Sequence, residues 1–191
     1  MKNSDDKLVK KAKMGDNGAF GKLVARYQKK VLYLAYDLIG NYYDAQDVAQ
    51  NVFFQAFKNI TFFKAQSSFS TWLYRITTNA AIDFQRSKKR RWTLSLNRPL
   101  SEDKDERELI DVLQDKSKPV DEKFEDQNLK DLIEKTTESL PPQQQAAFVL
   151  KYFHGKPTEE IAEILNCDPI TVRGHILRAT LKLRKQLKAE K

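Results

Sequence analysis

Apolar residues in this chain recur at intervals of three and four rather than alternating, which predicts helices in preference to sheet. Phe20, Leu23, Val24, Tyr27, Val31, Leu34, Ala35 and Leu38 form the first such stripe, and Gly40 ends it. Asp44 is expected to cap a second helix, whose core face carries Ala45, Val48, Ala49, Val52, Phe53 and Ala56. A third is expected in the stretch FSTWLYRITTNAAIDFQRSKKRR, residues 69–91. Its inward positions are Leu73, Ile76, Thr77, Ala80 and Phe84, and Trp72, at the border, is expected to be a core residue. The outward stripe is Arg75, Thr78, Asn79, Ile82, Arg86 and Lys89.

The pattern resumes in SLPPQQQAAFVLKYFHGKPTEEIAEILNCDPITVRGHILRATLKLRKQL. Pro141 or Pro142 is expected to open a helix that Gly155 closes. Thr158 is expected to cap the next helix, with Glu159 and Glu160 in its first turn and Ile161, Ala162 and Leu165 inward. Asn166 suits a left-handed turn residue. Asp168 then caps a last helix that begins at Pro169 and buries Val172, Ile176, Ala179 and Leu183. Short helix, tight turn and longer basic helix together make a helix-turn-helix.

Charge separates these two modules. Residues 101–131 hold 12 acidic and six basic side chains with no sustained apolar stripe, so this segment reads as an acidic linker. Residues 169–191 hold seven basic and one acidic. The expected fold is therefore all-α: two small helical domains, 1–95 and 129–191, joined by an acidic linker over 96–128. The net charge of +8 favours a polyanionic partner. A single cysteine, Cys167, excludes an internal disulfide and a multi-cysteine metal site, and fits a reducing cytoplasm. The N-terminus lacks a signal-peptide core, and no membrane insertion is expected.

Three surfaces are candidates for chemistry. On the second helix Asp47, Gln50, Asn51 and Lys58 surround Phe54. This is either a solvated face with one aromatic or a docking patch around an aromatic anchor. The outward stripe of the third helix has several cations and little acid, which favours phosphate contact over solvation. The loop KAQSSF before it is either an ordinary connection or a place to hold an unstacked base. On the last helix Ile170, Thr171, Arg173, Gly174 and Arg178 face outward, and a mid-helix glycine, costing about 1 kcal/mol, suits close approach to a DNA backbone.

DAQDVAQNVFFQAF (Asp44–Phe57) resembles the segment of bacterial RNA polymerase sigma factors that binds the clamp helices of the largest polymerase subunit. FSTWLYRITTNAAIDFQR resembles the promoter-melting and −10-reading segment of their extracytoplasmic-function (ECF) group. EEIAEILNCDPITVRGHILRA is similar to that group's −35-reading helix-turn-helix. The resemblance implies that Asp44, Asp47, Gln50, Asn51 and Phe54 contact core polymerase. It implies that Lys64, Ala65, Gln66, Ser67 and Ser68 hold a flipped −10 base. Arg75, Asn79, Arg86, Lys89 and Arg90 would position the strand, and Ile170, Thr171, Arg173, Gly174, His175 and Arg178 would meet the −35 duplex. Implied partners are core RNA polymerase at its clamp helices and flap region, promoter DNA both double-stranded and melted, and an anti-sigma factor. No cofactor is implied.

The family usually has acids where this chain has Gln46 and Asn51, so the docking patch is less charged than usual. It usually has a small residue at Ile170, Ser at Gly174 and Arg at His175, departures that bear on the −35 sequence preferred. No nucleophile or carboxylate cluster suggests an enzyme, and His154, His175 and Cys167 lack metal-ligand spacing. A helix-turn-helix regulator acting outside polymerase would explain residues 130–191 but leave the Phe54 patch and the 69–91 stretch unused.

Overall fold

The computed structural model describes residues 2–96, 137 and 139–189, and among these it is helical with no strand. The acidic linker expected over 96–128 lies outside the described residues apart from its first position. Four helices form the first module: α1 (Lys2–Lys13), α2 (Asn17–Ile39), α3 (Tyr42–Asn59) and α4 (Phe69–Leu96). Three form the second: α5 (Pro142–Tyr152), α6 (Thr158–Leu165) and α7 (Pro169–Ala189).

The first core lies between α1, α2, α3 and the start of α4. Leu23, Tyr27, Val31 and Ala35 of α2 meet Ala45, Val48, Val52 and Ala56 of α3, with Leu73 from α4. Each fully buried aliphatic side chain contributes roughly 1.5–3 kcal/mol against exposure. Gly40 ends α2 in the left-handed region (φ 78°), its N–H donating to Tyr36 O, as its position after the stripe predicts. The cap of α3 differs from expectation. Asn41 is the N-cap, its Oδ1 accepting from Asp44 N at 3.0 Å, and Asp44 sits in the first turn. Helix α1 had no expected counterpart. It docks through Val9 and Ala12, while the Asp5 carboxylate accepts hydrogen bonds from Arg26 and from the Tyr27 hydroxyl, the latter at 2.5 Å. Burial, then the Asp5 hydrogen bond, pushes the Tyr27 phenol well above its ordinary pKa.

The second module follows the helix-turn-helix expectation closely. Pro142 is the first residue of α5. Asn166 takes the left-handed conformation (φ 52°, ψ 52°) between α6 and α7. Thr158 is not a cap: Pro157 holds that position without a side-chain bond, and Thr158 is the first helical residue. Val172, Ala179 and Leu183 of α7 are buried, Ile176 partly so, as expected. Cys167 packs beside this core at the turn, where burial raises its thiol pKa.

One core cluster crosses between the modules. Leu34 and Leu38 of α2 and Tyr74, Ala81 and Ile82 of α4 pack with Ala146, Ala147, Val149 and Leu150 of α5 and Ile161, Ala162 and Ile164 of α6. Ile82 and Thr78, expected on the outward stripe of α4, are therefore buried, at 4% and 0% exposure. The helical wheel placed both residues on the right side of the helix; the second module covers that side.

Candidate nucleic-acid interface

The KAQSSF loop closes over an aromatic floor. A 3₁₀ turn, Ile60–Phe62, delivers Phe63 into the core, where its ring lies 5.0 Å from Trp72 and 6.1 Å from Phe69 between centroids. Trp72 is thus a core residue, as expected. Phe62 turns the other way and is largely exposed. Ala65 holds a positive φ of 54°, uncommon for a residue with a Cβ, which bends the loop back on itself. Ser68 ends the loop and caps α4, its Oγ accepting from Thr71 N at 3.1 Å.

Phe62, Phe63, Lys64, Ala65, Gln66, Ser67, Thr71, Trp72 and Arg75 thereby line an open cleft of about 530 Å³. Glu163 and Asn166 of the second module complete its wall. The lining combines the edges of the buried Phe63 and Trp72, the exposed Phe62, amide and hydroxyl groups, and two cations, Lys64 and Arg75, against one carboxylate, Glu163. Such a site suits a planar heterocycle attached to a phosphate chain. The structure joins Lys64, Ala65, Gln66, Ser67 and Arg75 in one cleft without Ser68, whereas Asn79, Arg86, Lys89 and Arg90 continue along α4 outside it, all exposed. Phe62 and Thr71 escaped the sequence reading. The Phe62–Phe63 doublet was the available signal, since adjacent residues leaving a helical turn cannot both point inward.

On α3, Asp47, Gln50, Asn51 and Phe54 are all exposed, and Phe54 shows 56% of its surface. Lys58 Nζ lies 4.4 Å from the Phe54 ring centroid, a cation–π contact at the exposed end of the helix. Asp44 stands apart from that group, half-buried and paired with Lys88 of α4 at 3.2 Å.

On α7, Ile170, Thr171, Arg173 and Arg178 are exposed and contiguous at its N-terminal half. At Gly174 a Cβ would meet only Arg178 Nη2, at 3.9 Å, so nothing within the chain requires glycine there. His175 is turned partly inward. Its Nδ1 is buried without a hydrogen-bond partner, and burial, then the neighbouring Arg178 charge, lowers its pKa. The imidazole is therefore neutral at pH 7.

These surfaces, a basic helix-turn-helix and a cationic helix beside an aromatic-floored cleft, are those of a DNA-binding transcription protein. The Sigma-70 region 2 family matches residues 23–91 and the Sigma-70 region 4 family residues 130–183. The ECF RNA polymerase sigma factor SigW of Bacillus subtilis (strain 168) is 36% identical over 182 residues, 95% of this chain and 96% of the relative. The ECF RNA polymerase sigma-E factor of Haemophilus influenzae is 35% identical over 181 residues, 92% of this chain and 91% of the relative. Among solved structures, CnrH in complex with the cytosolic domain of CnrY matches with a TM-score of 0.67 at 25% identity, over 98% of this chain and 99% of that one. The chain belongs to the sigma-70 family of RNA polymerase sigma factors, in its ECF group. Its function is to bind core RNA polymerase and direct it to promoters for initiation. Among the described residues no helix is long and apolar enough to cross a membrane.

Proposed function

We propose a division of this function among the three surfaces. The exposed face of α3 docks on the polymerase clamp helices, with Phe54 as the anchor and Asp47, Gln50 and Asn51 as its polar surround. Asp44 supports that face through its pair with Lys88. The cleft holds one unstacked base of the −10 element. Its bound strand runs past Arg75 and Asn79 toward Arg86, Lys89 and Arg90. Phe62 stands at the cleft rim, where it can stack on the extruded base. Helix α7 enters the −35 major groove, with Thr171, Arg173 and Arg178 reaching the DNA and Gly174 allowing close approach.

The observation that carries this reading is the cleft itself, in which aromatic, amide and hydroxyl side chains and two cations, Lys64 and Arg75, meet next to a basic helix. Catalysis stays with the polymerase, and the chain acts in the cytoplasm. CnrH is seen in complex with the cytosolic domain of CnrY, and the partner of this kind proposed for this chain is an anti-sigma factor.

The test is initiation by core polymerase on sheared genomic DNA, with transcript 5′ ends mapped. Adding the purified chain should produce starts that share two upstream sequence elements. Replacing Asn79 or the Lys64–Ser68 loop should reduce strand opening more than duplex binding. Starts no different from those of core polymerase alone would overturn the reading.

A further inference from the structure

Helix α7 carries an aliphatic residue that the fold leaves unused. Val172, Ala179 and Leu183 are buried on one side of this helix, and Ile176 is partly so. The line directly opposite runs Ile170, Gly174, Leu177 and Leu181, at spacings of four, three and four. Ile170 is 76% exposed, the highest value for a branched aliphatic side chain among the described residues. Leu177 and Leu181 are exposed further along, but Gly174 breaks the line. The helix therefore offers no continuous apolar strip for a partner helix to bury.

The surroundings of Ile170 suit a base edge of duplex DNA. Arg173 and Arg178, both exposed, flank the line on either side. The first turn of α7, Pro169–Ile170–Thr171–Val172, has no acid, whereas α6 has Glu159 and Glu160 in its first turn. One turn on from Ile170 the surface is recessed, since a Cβ at Gly174 would meet only Arg178 Nη2, at 3.9 Å. That recess lets the helix settle deeply enough for the Ile170 side chain to arrive in van der Waals contact. A β-branched residue has one strongly preferred χ1 rotamer in a helix, so little further freedom is lost on contact. Isoleucine has no hydrogen-bonding group, and the apolar group a base pair shows in the major groove is the C5 methyl of thymine. Cytosine methylated at C5 presents the same group in the same place.

We propose that Ile170 is a specificity-determining residue that reads a pyrimidine C5 methyl group in the −35 duplex, at a base pair beside the one met by Arg173. Ile170 and Arg173 are three residues apart on the outer face, the spacing at which a recognition helix can meet successive base pairs. The contact separates thymine and 5-methylcytosine from uracil and cytosine. It rests on the −35 role given above to α7 and adds the chemical group that is read.

The experiment uses core polymerase loaded with the full chain, as parent, Ile170→Ala and Thr171→Ser. Thr171 also exposes a methyl group, and serine removes it while keeping the hydroxyl. A promoter found by the 5′-end mapping above is rebuilt with deoxyuridine for each −35 thymidine in turn, on each strand. A second set places cytosine or 5-methylcytosine at the same positions, and a third scrambles the whole −35 element. Competition against the labelled parent promoter reads relative affinity, and titration of each chain form reads core polymerase binding. Circular dichroism checks that helix content is kept.

At one thymine, uracil should lower the affinity of the parent and of Thr171→Ser about fourfold, the factor that burial of one methyl group is worth. The same replacement should cost Ile170→Ala nothing. At that position 5-methylcytosine should outbind cytosine by a similar factor, again with Ile170 present and not with alanine. A −35 preference that no uracil alters would overturn the inference and leave the −35 reading standing. So would a uracil penalty that survives Ile170→Ala or disappears in Thr171→Ser. Weaker core polymerase binding by Ile170→Ala without any uracil effect would make the side chain a protein contact instead. If scrambling the −35 element changes nothing for the parent, the −35 reading falls and this inference with it.

Discussion

Two outward faces in the first module look alike in sequence and differ in the folded chain. Helix α3 presents Asp47, Gln50, Asn51 and Phe54 to solvent. Helix α4 carries a comparable mixture, yet Tyr74, Thr78 and Ile82 lie beneath α5 and α6. The wheel identifies which residues share a side but is silent on what covers that side. Apolar surface on α3 stays exposed, whereas on α4 it is covered within the chain. Two helices of like sequence pattern thus differ in which side the rest of the chain covers.

The largest expected effect tests the covered face. Ile82→Ala should cost about 2 to 5 kcal/mol of stability by thermal or urea unfolding, as a buried aliphatic truncation does. A loss below about 0.5 kcal/mol, the range of surface changes, would make α4 as open as α3. Phe54→Ala is the converse. It should leave stability within about 0.5 kcal/mol but weaken core polymerase binding by about 2 kcal/mol, the loss typical of an aromatic anchor. Undiminished binding in a pull-down titration would remove the docking role from α3. Next comes the contrast between base reading and strand positioning. Arg173→Ala should lower affinity for the best −35 site over random DNA by about 1 to 3 kcal/mol. Lys89→Ala should weaken all sequences alike and reduce the log–log salt slope by about one unit. Equal losses on cognate and random DNA would reassign Arg173 to a phosphate.

The smallest effect concerns His175. Burial, then Arg178, holds its folded pKa below the ordinary 6.5, so the folded chain binds fewer protons there than the unfolded chain. Its contribution is present above pH 6.5 and is lost as pH falls through the window below that value. The parent should therefore lose more thermal stability than His175→Gln between pH 7.5 and 5.5. Parallel melting curves for the two proteins would place the imidazole in solvent.

What the sequence disclosed was local. Gly40, Asn166 and Pro142 each announce a helix boundary through a backbone property of the residue itself, and each stands where expected. The apolar stripes of α2, α3 and α7 also hold, because period and burial are tied within one helix. The misses involve competition or distance. Asn41 and Asp44 are both good caps three residues apart, and the helix takes the earlier one. Pro157 takes the N-cap position with an extended backbone (φ −68°, ψ 153°), which leaves Thr158 as the first helical residue. Burial of Ile82 depends on residues more than 60 positions away, which no window on α4 contains. Within the candidate site, the cations and polar loop were legible by type, but the contribution of Glu163 and Asn166 to the cleft was not.

Helix α1 determines what a truncation to Met14 would remove. Met14 is an in-frame methionine immediately after α1, and translation from it would omit Asp5, Val9 and Ala12. The product would keep every residue assigned to polymerase or DNA. Yet Tyr27 would lose its carboxylate acceptor, and its ring packs on Phe69 at 5.6 Å, the residue that opens α4. Lys13, which donates to Phe63 O at 2.9 Å, would go too, loosening the floor of the cleft. An expression clone begun at Met14 would carry the whole recognition apparatus on a weakened frame.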